Sequence, residues 1–255
     1  MNTFCSQAAP EDDVAPDVAV VSAAMTALLQ GGGGGAGHEV EARLGTIDPE
    51  SGRFVAGVEA RWFEMLLKRM QLYQQWDHNH DWQESEDVFF TVAGRNVRQS
   101  RIFNADECTT QILTTVEKRV ICKGILEMPQ SCSPVAVGAN AIRFAYATEE
   151  VVQEALPEIV IAPLHVRYKQ RRSFEITSTG IPGAAWRFDF TRIWSGQNHA
   201  EAEIKQQRGD EPVCEIEVEW IPPSQRLFKQ GDAHFKELVE HVAASLRTKV
   251  LKLLE

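Results

Sequence analysis

The sequence predicts a mainly β fold closed into a barrel, with a charged interior and an apolar outside covered by helices. Three observations lead there. From residue 38 onward, short segments rich in Val, Ile, Thr, Phe and Trp alternate with Gly, Pro, Asn and Asp breaks. Within the clearest of these segments, one face is charged and the other is strongly apolar, because strand side chains alternate. The charges also sort by strand. Carboxylates gather on 38–47 and 213–221, and cations on 96–103, 141–149 and 164–177. Three glutamates at alternate positions repel one another unless something positive faces them. A closed barrel with a polar lumen lets the acidic strands face the basic ones.

The chain has 255 residues, enough for one large domain or two small ones. Its formal charge is 26 − 36 = −10. That balance argues against binding along a nucleic-acid duplex, yet leaves room for a local basic pocket that grips one phosphorylated end. Five cysteines, with no CxxC pair, suggest neither a disulfide framework nor a zinc site, and reduced thiols in an intracellular setting are expected. The apolar run 15–30 contains Asp17 and follows an acidic stretch. It reads as neither a signal peptide nor a membrane span.

Residues 1–37 form the first expected unit, a flexible arm with a helix over 16–30 and a hinge at GGGGGAG, 31–37. The catalytic domain is expected over 38–255. Strands are predicted at 38–47, 87–93, 96–103, 110–122, 141–147, 159–162, 164–177, 185–194, 199–206 and 213–221. Helices are predicted at 56–76 and 232–255, with a short turn near 149–155. An outer-membrane barrel is disfavoured: the strands are irregular in length, and amphipathic helices would have no place in it.

The inward faces carry the chemistry. HEVEARLG (38–45) places Glu39, Glu41 and Arg43 together, and CEIEVEW (214–220) places Glu215, Glu217 and Glu219 together. On 164–177 the basic face holds Arg167, Lys169 and Arg171; on 185–194 it holds Arg187, Asp189 and Thr191. Such a lumen could be a set of mutually satisfied ion pairs, but burying many charges for structure alone is poorly repaid. Converging Arg and Lys suit a polyphosphate, and several carboxylates suit a hard divalent cation. Together they describe metal-assisted phosphoryl transfer to water.

HEVEARLG, RYKQRR (167–172), RFDFT (187–191) and CEIEVEW, in this order, resemble the motifs of the triphosphate tunnel metalloenzymes, specifically the RNA 5′-triphosphatases of fungal and protozoal mRNA capping. The resemblance spans roughly 38–221. It implies a closed, eight-stranded antiparallel barrel, with Mg²⁺ or Mn²⁺ held by Glu39, Glu41 and Glu219. It makes Glu217 the inner carboxylate near the metal waters, with Glu215 completing the triplet. Lys169 and Arg171 become the γ-phosphate contacts, with Arg167 beside them. Arg98, Lys118, Arg143 and Arg187 are expected to line the substrate path, with Arg101 an alternative to Arg98 after a register shift. Glu149 either orients the attacking water or holds an arginine. Arg187 and Asp189 either contact substrate or pair between strands. Arg43 cannot give up its proton and serves as a fixed cation. The implied ligands are the 5′-triphosphate end of RNA and nucleoside triphosphates. A functional link to an RNA guanylyltransferase and a nuclear location follow from the resemblance alone, and no membrane is expected. A small-molecule triphosphatase acting on inorganic or thiamine triphosphate and a non-catalytic polyphosphate-binding module are the other readings.

Overall fold

The computed structural model describes residues 38–92, 94–104, 109–127, 141–152, 163–178 and 183–221, with 245, 248 and 249. The N-terminal arm and the 159–162 strand lie outside these residues. Of the 232–255 helix only 245, 248 and 249 are described, and they are helical.

The described chain runs β1 (His38–Ile47), β2 (Phe54–Ala56), α1 (Ala60–Leu72), β3 (His78–Asn79), β4 (Gln83–Val92), β5 (Arg95–Asn104), β6 (Thr109–Glu127), β7 (Ala141–Val151), β8 (His165–Thr177), β9 (Ala185–Gly196), α2 (His199–Arg208) and β10 (Val213–Ile221). Eight strands pair in the order β10-β9-β8-β4-β5-β6-β7-β1, and β1 pairs back with β10, which closes the barrel. Every pairing is antiparallel. β2 extends β1 as a hairpin, and β3 adds to β8. Closure removes the open sheet edges.

The apolar faces lie outside, as alternation predicts. Val40, Ala42 and Leu44 of β1, Trp186, Phe188 and Phe190 of β9, and Ile216, Val218 and Trp220 of β10 form the main core with α1. α1 buries Trp62, Phe63, Leu66, Leu67 and Met70, one helical stripe. Phe63 meets Phe190 edge-on at 5.5 Å. Trp76 then packs on Phe174 and Phe188, and its indole N–H donates to the Met70 carbonyl at 2.7 Å. The core therefore lies between barrel and helix, and the lumen is free for polar groups.

Several boundaries differ from expectation. Residues 199–206 are helix, not strand. Asn198 caps this helix by accepting from the Glu201 N–H at 3.0 Å, Glu201 accepts in turn from the Gln197 N–H at 2.9 Å, and Gly209 ends the helix at φ 74°. This is local capping chemistry read from a few residues. At the other end, residues 149–151 continue β7 instead of turning, because they pair with β6 up to Val116↔Val151. β4 begins at residue 83, and the helix expected over 56–76 is confined to Ala60–Leu72. α2 seals the outer face of β4 and β8 through Ala202. Gly196 lies so close under it that a Cβ would sit 2.7 Å from the Ala202 nitrogen. Asn198→Ala is expected to cost about 1 kcal/mol, read as a Tm lower by about 2–4 °C.

Candidate active site in the barrel lumen

Register fixes which carboxylates are neighbours. On β1 and β10, Glu41 lies opposite Glu219 and Arg43 opposite Glu217. On the other side of β1, Glu39 and Glu41 face Ala147 and Ala145 of β7, and Arg43 faces Arg143. The two alanines are buried and small, so long side chains have room above them.

Part of the compensation comes from strands two apart, whose inward side chains meet over the strand between them. Arg167 of β8 reaches Glu215 of β10 at 2.7 Å, and Arg171 reaches Glu217 at 3.6 Å. Arg98 of β5 reaches Glu149 of β7 at 2.7 Å. Lys118 of β6 bonds Glu39 of β1 and lies 3.5 Å from Glu41. Arg143 lies 3.6 Å from Glu41. Arg43 sits at the centre, 3.0 Å from Glu41, 2.6 Å from Glu217 and 3.9 Å from Glu215. The structure thus gathers every residue expected in the lumen, and it settles the register of β5. The strand is irregular between Ser100 and Arg101, which leaves Arg98 inside while Arg101 donates to Gln99 at 2.6 Å and lies over the Phe90 ring on the outer face.

Asp189 is fully buried and holds two arginines, Arg171 and Arg187, at 3.1 Å each, and accepts from the Ser173 hydroxyl at 2.6 Å. Arg187 also bonds Glu219 of the next strand. Arg171 donates to the Thr191 hydroxyl at 3.2 Å. In this state Arg187 and Asp189 form an ion-pair scaffold, and Glu149 holds Arg98.

Asp87 is a lumen residue outside the expected set. It is 2% exposed, accepts from the Lys169 ammonium at 2.6 Å and from the Ser100 hydroxyl at 2.7 Å. Its signal is the alternation Ser85, Asp87, Phe89 along β4, masked by the polar opening Gln83–Glu86 of that strand.

Electrostatics divide the carboxylates. Burial pushes against ionisation of Glu217, yet Arg43 and Arg171 hold its pKa at about 2. Burial pushes Glu219 up to about 8, with Glu39, Asp189 and Glu217 adding to it against Arg187. Glu41 is likewise raised, by burial first and by Glu217 and Glu39, against Arg43 and Lys118. Glu217 is therefore held ionised, whereas at Glu41 and Glu219 burial and the neighbouring carboxylates outweigh the cations in contact. Among the described residues, no three carboxylate, imidazole or thiol groups converge on one point where a metal would sit. Glu39, Glu41 and Glu219 instead reach toward Lys118, Arg43 and Arg187. The donors fit a hard divalent cation in chemistry and in backbone register, and such an ion would offset the burial and mutual repulsion that raise Glu41 and Glu219. Binding it requires these glutamates to turn from their cations.

Burial pushes the Lys169 ammonium down to about 8, with Arg171 and Arg98 adding to it against Asp87. Below about pH 8 it is charged, and above it the ammonium is lost. If Lys169 binds phosphate, kcat/KM falls above about pH 8, and K169R moves that limb to higher pH because guanidinium stays protonated. A pH profile of both proteins checks this.

No helix among the described residues is long and apolar enough to cross a membrane. No protein-family model matches the chain, and no curated protein matches it by sequence. Solved structures do. The S. pombe Pct1 RNA triphosphatase matches over 97% of this chain and 98% of that one, at 20% identity and a TM-score of 0.67. Its complex with the Spt5 CTD gives 17% identity and a TM-score of 0.61 over 97% and 98% of the two chains. The mimivirus capping enzyme triphosphatase matches over 90% of this chain and 93% of that one, at 14% identity and a TM-score of 0.54. At these identities the likeness is one of fold, and the fold of this chain is the triphosphate tunnel found in RNA triphosphatases.

Proposed function

We propose that the chain is a metal-dependent RNA 5′-triphosphatase, which removes the γ-phosphate from triphosphate-ended RNA and also hydrolyses nucleoside triphosphates. One observation carries this reading. Glu39, Glu41 and Glu219 stand side by side on β1 and β10, two of them with carboxyls raised by burial and by their carboxylate neighbours, in a closed barrel that also holds Arg98, Lys118, Arg167, Lys169 and Arg171. A module that only bound phosphate would have no need of this buried cluster of carboxylates.

In this reading Lys169 and Arg171 neutralise the γ-phosphate, and Arg167 and Arg98 hold the phosphates behind it. Asp87 fixes Lys169, and Asp189 with Thr191 fixes Arg171, so both cations are pre-aimed and cost little to reorganise. Mg²⁺ or Mn²⁺ on Glu39, Glu41 and Glu219 would supply a Lewis acid that offsets charge on the γ-phosphate. Glu217, ionised between Arg43 and Arg171, orients the attacking water in this reading. Glu149 acts behind it by holding Arg98. The product, a diphosphate end, is what a guanylyltransferase consumes, which would place the reaction first in mRNA cap formation and in the nucleus.

Release of labelled γ-phosphate from triphosphate-ended RNA, with and without Mg²⁺ or Mn²⁺, tests the proposal. Metal-dependent release with a diphosphate-ended product is expected. Competition by ATP and inorganic tripolyphosphate ranks the substrates, and the absence of release under any metal would leave a binding module.

A further inference from the structure

One mouth of the barrel carries two aromatic rings beside the ionic part of the lumen. Phe89 of β4 and His165 of β8 are directly opposite each other, and their rings meet edge-on at 4.9 Å. Both face inward. Their sequence neighbours Val88, Phe90 and Val166 form the outer cluster beneath α2, and Asp87, two residues from Phe89, meets Lys169 in the lumen. On the other side of β4, Phe89 lies opposite Arg98. The next inward pair along these strands, Thr91 and Asn96, is already at the exposed rim. Phe89 and His165 are thus the last partly buried layer before solvent.

Two features of this layer need a cause. His165 Nε2 is buried and has no hydrogen-bond partner among the described residues. Burial, and then Arg167, push the His165 pKa below its ordinary value, so the ring is neutral near pH 7. A neutral imidazole beside a phenyl ring brings no positive charge to hold phosphate. Along β8 the side chains on the lumen face read Arg171, Lys169, Arg167, His165, from the carboxylates outward. At about 3.4 Å per residue, His165 lies about 14 Å from Lys169 along the strand. That suits a terminal phosphate on Lys169, two more phosphates and a ribose, then a base.

We propose that Phe89 and His165 form a nucleoside subsite, which stacks the base of the 5′-terminal nucleotide at this mouth while His165 Nε2 hydrogen-bonds the base or the sugar. The proposal rests on the triphosphatase reading and deepens it. The tunnel would read a nucleoside as well as phosphates, and RNA would lie outward past Thr91 and Asn96. Base-aromatic stacking is tolerant of sequence, because every base has a π-face, which suits an enzyme that meets many different 5′ ends.

The test is equilibrium binding of ATP and of inorganic tripolyphosphate to the full chain, for wild type, F89A, H165A and F89W. Wild type is expected to prefer ATP. F89A should lower the ratio of ATP to tripolyphosphate affinity about tenfold or more, by the loss of one stacked base. H165A should lower the ratio too, and F89W, which keeps a stacking surface, should retain it. A fall in affinity for both ligands together would mark Phe89 as structural and overturn the subsite. Equal wild-type affinities with an unchanged ratio in F89A would overturn it as well, and would leave the triphosphatase reading standing. Binding of neither ligand by wild type would remove both.

Discussion

Glu219→Ala is expected to lower metal-dependent γ-phosphate release by about two to three orders of magnitude, the usual loss when one preorganised charge-stabilising group is removed. Glu219 lies opposite Glu41 across β1 and β10, so its loss opens the carboxylate set at its centre. The fold should survive. Its pKa is pushed up to about 8, which marks an ionised Glu219 as a group the apo barrel tolerates poorly. Arg187, its partner, keeps Asp189 at 3.1 Å. Glu219→Gln holds the volume constant and should lose activity to a similar extent. Phosphate release measured at saturating Mn²⁺, with thermal unfolding as a control, separates the two effects. Near-wild-type release by a folded Glu219→Ala protein would remove the metal-ligand assignment.

Alternation was the most informative signal in the sequence. HEVEARLG and CEIEVEW placed six charged groups on inward faces, and all six are there, because a one-residue slip would have put them into the apolar shell beneath α1. What failed was local. Residues 199–206 carry Ala, Glu and Ile at spacings that both a strand and a helix allow. The Asn198–Glu201 cap and Gly209 decide for the helix. Residues 149–155 contain three glutamates and two valines, and over 149–151 the long β6 partner overrides a turn.

Two features of the site could not be read from one strand at a time. The sequence suggested acidic strands facing basic ones across the lumen. The structure puts the two acidic strands side by side and draws much of the compensation from strands two away, a product of barrel curvature and strand order. The choice between Arg98 and Arg101 likewise rested on an irregularity in the β5–β6 ladder that no residue type announces.

Arg43→Ala is expected to cost about 3–5 kcal/mol of stability, the range for removing one partner of a buried ion pair. For the described domain that is roughly a 6–20 °C drop in Tm. The reason is its position. Arg43 is the cation closest to Glu217, and it also stands within salt-bridge range of Glu41 and Glu215, so alanine leaves three buried carboxylates short of a partner at once. Arg43→Lys keeps the charge, but a single ammonium cannot span three carboxylates as a planar guanidinium does, and it should fall between the two. The double variant Arg43→Ala with Glu217→Gln tells unpaired charge from lost packing. If repulsion and desolvation dominate, the second change recovers part of the loss, and the double-mutant cycle shows coupling well above the roughly 0.5 kcal/mol expected of independent sites. Chemical unfolding at pH 7 measures all four proteins. A strictly additive cycle would mean that Arg43 stabilises the barrel by its volume, and the acidic floor would then need another source of its compensation.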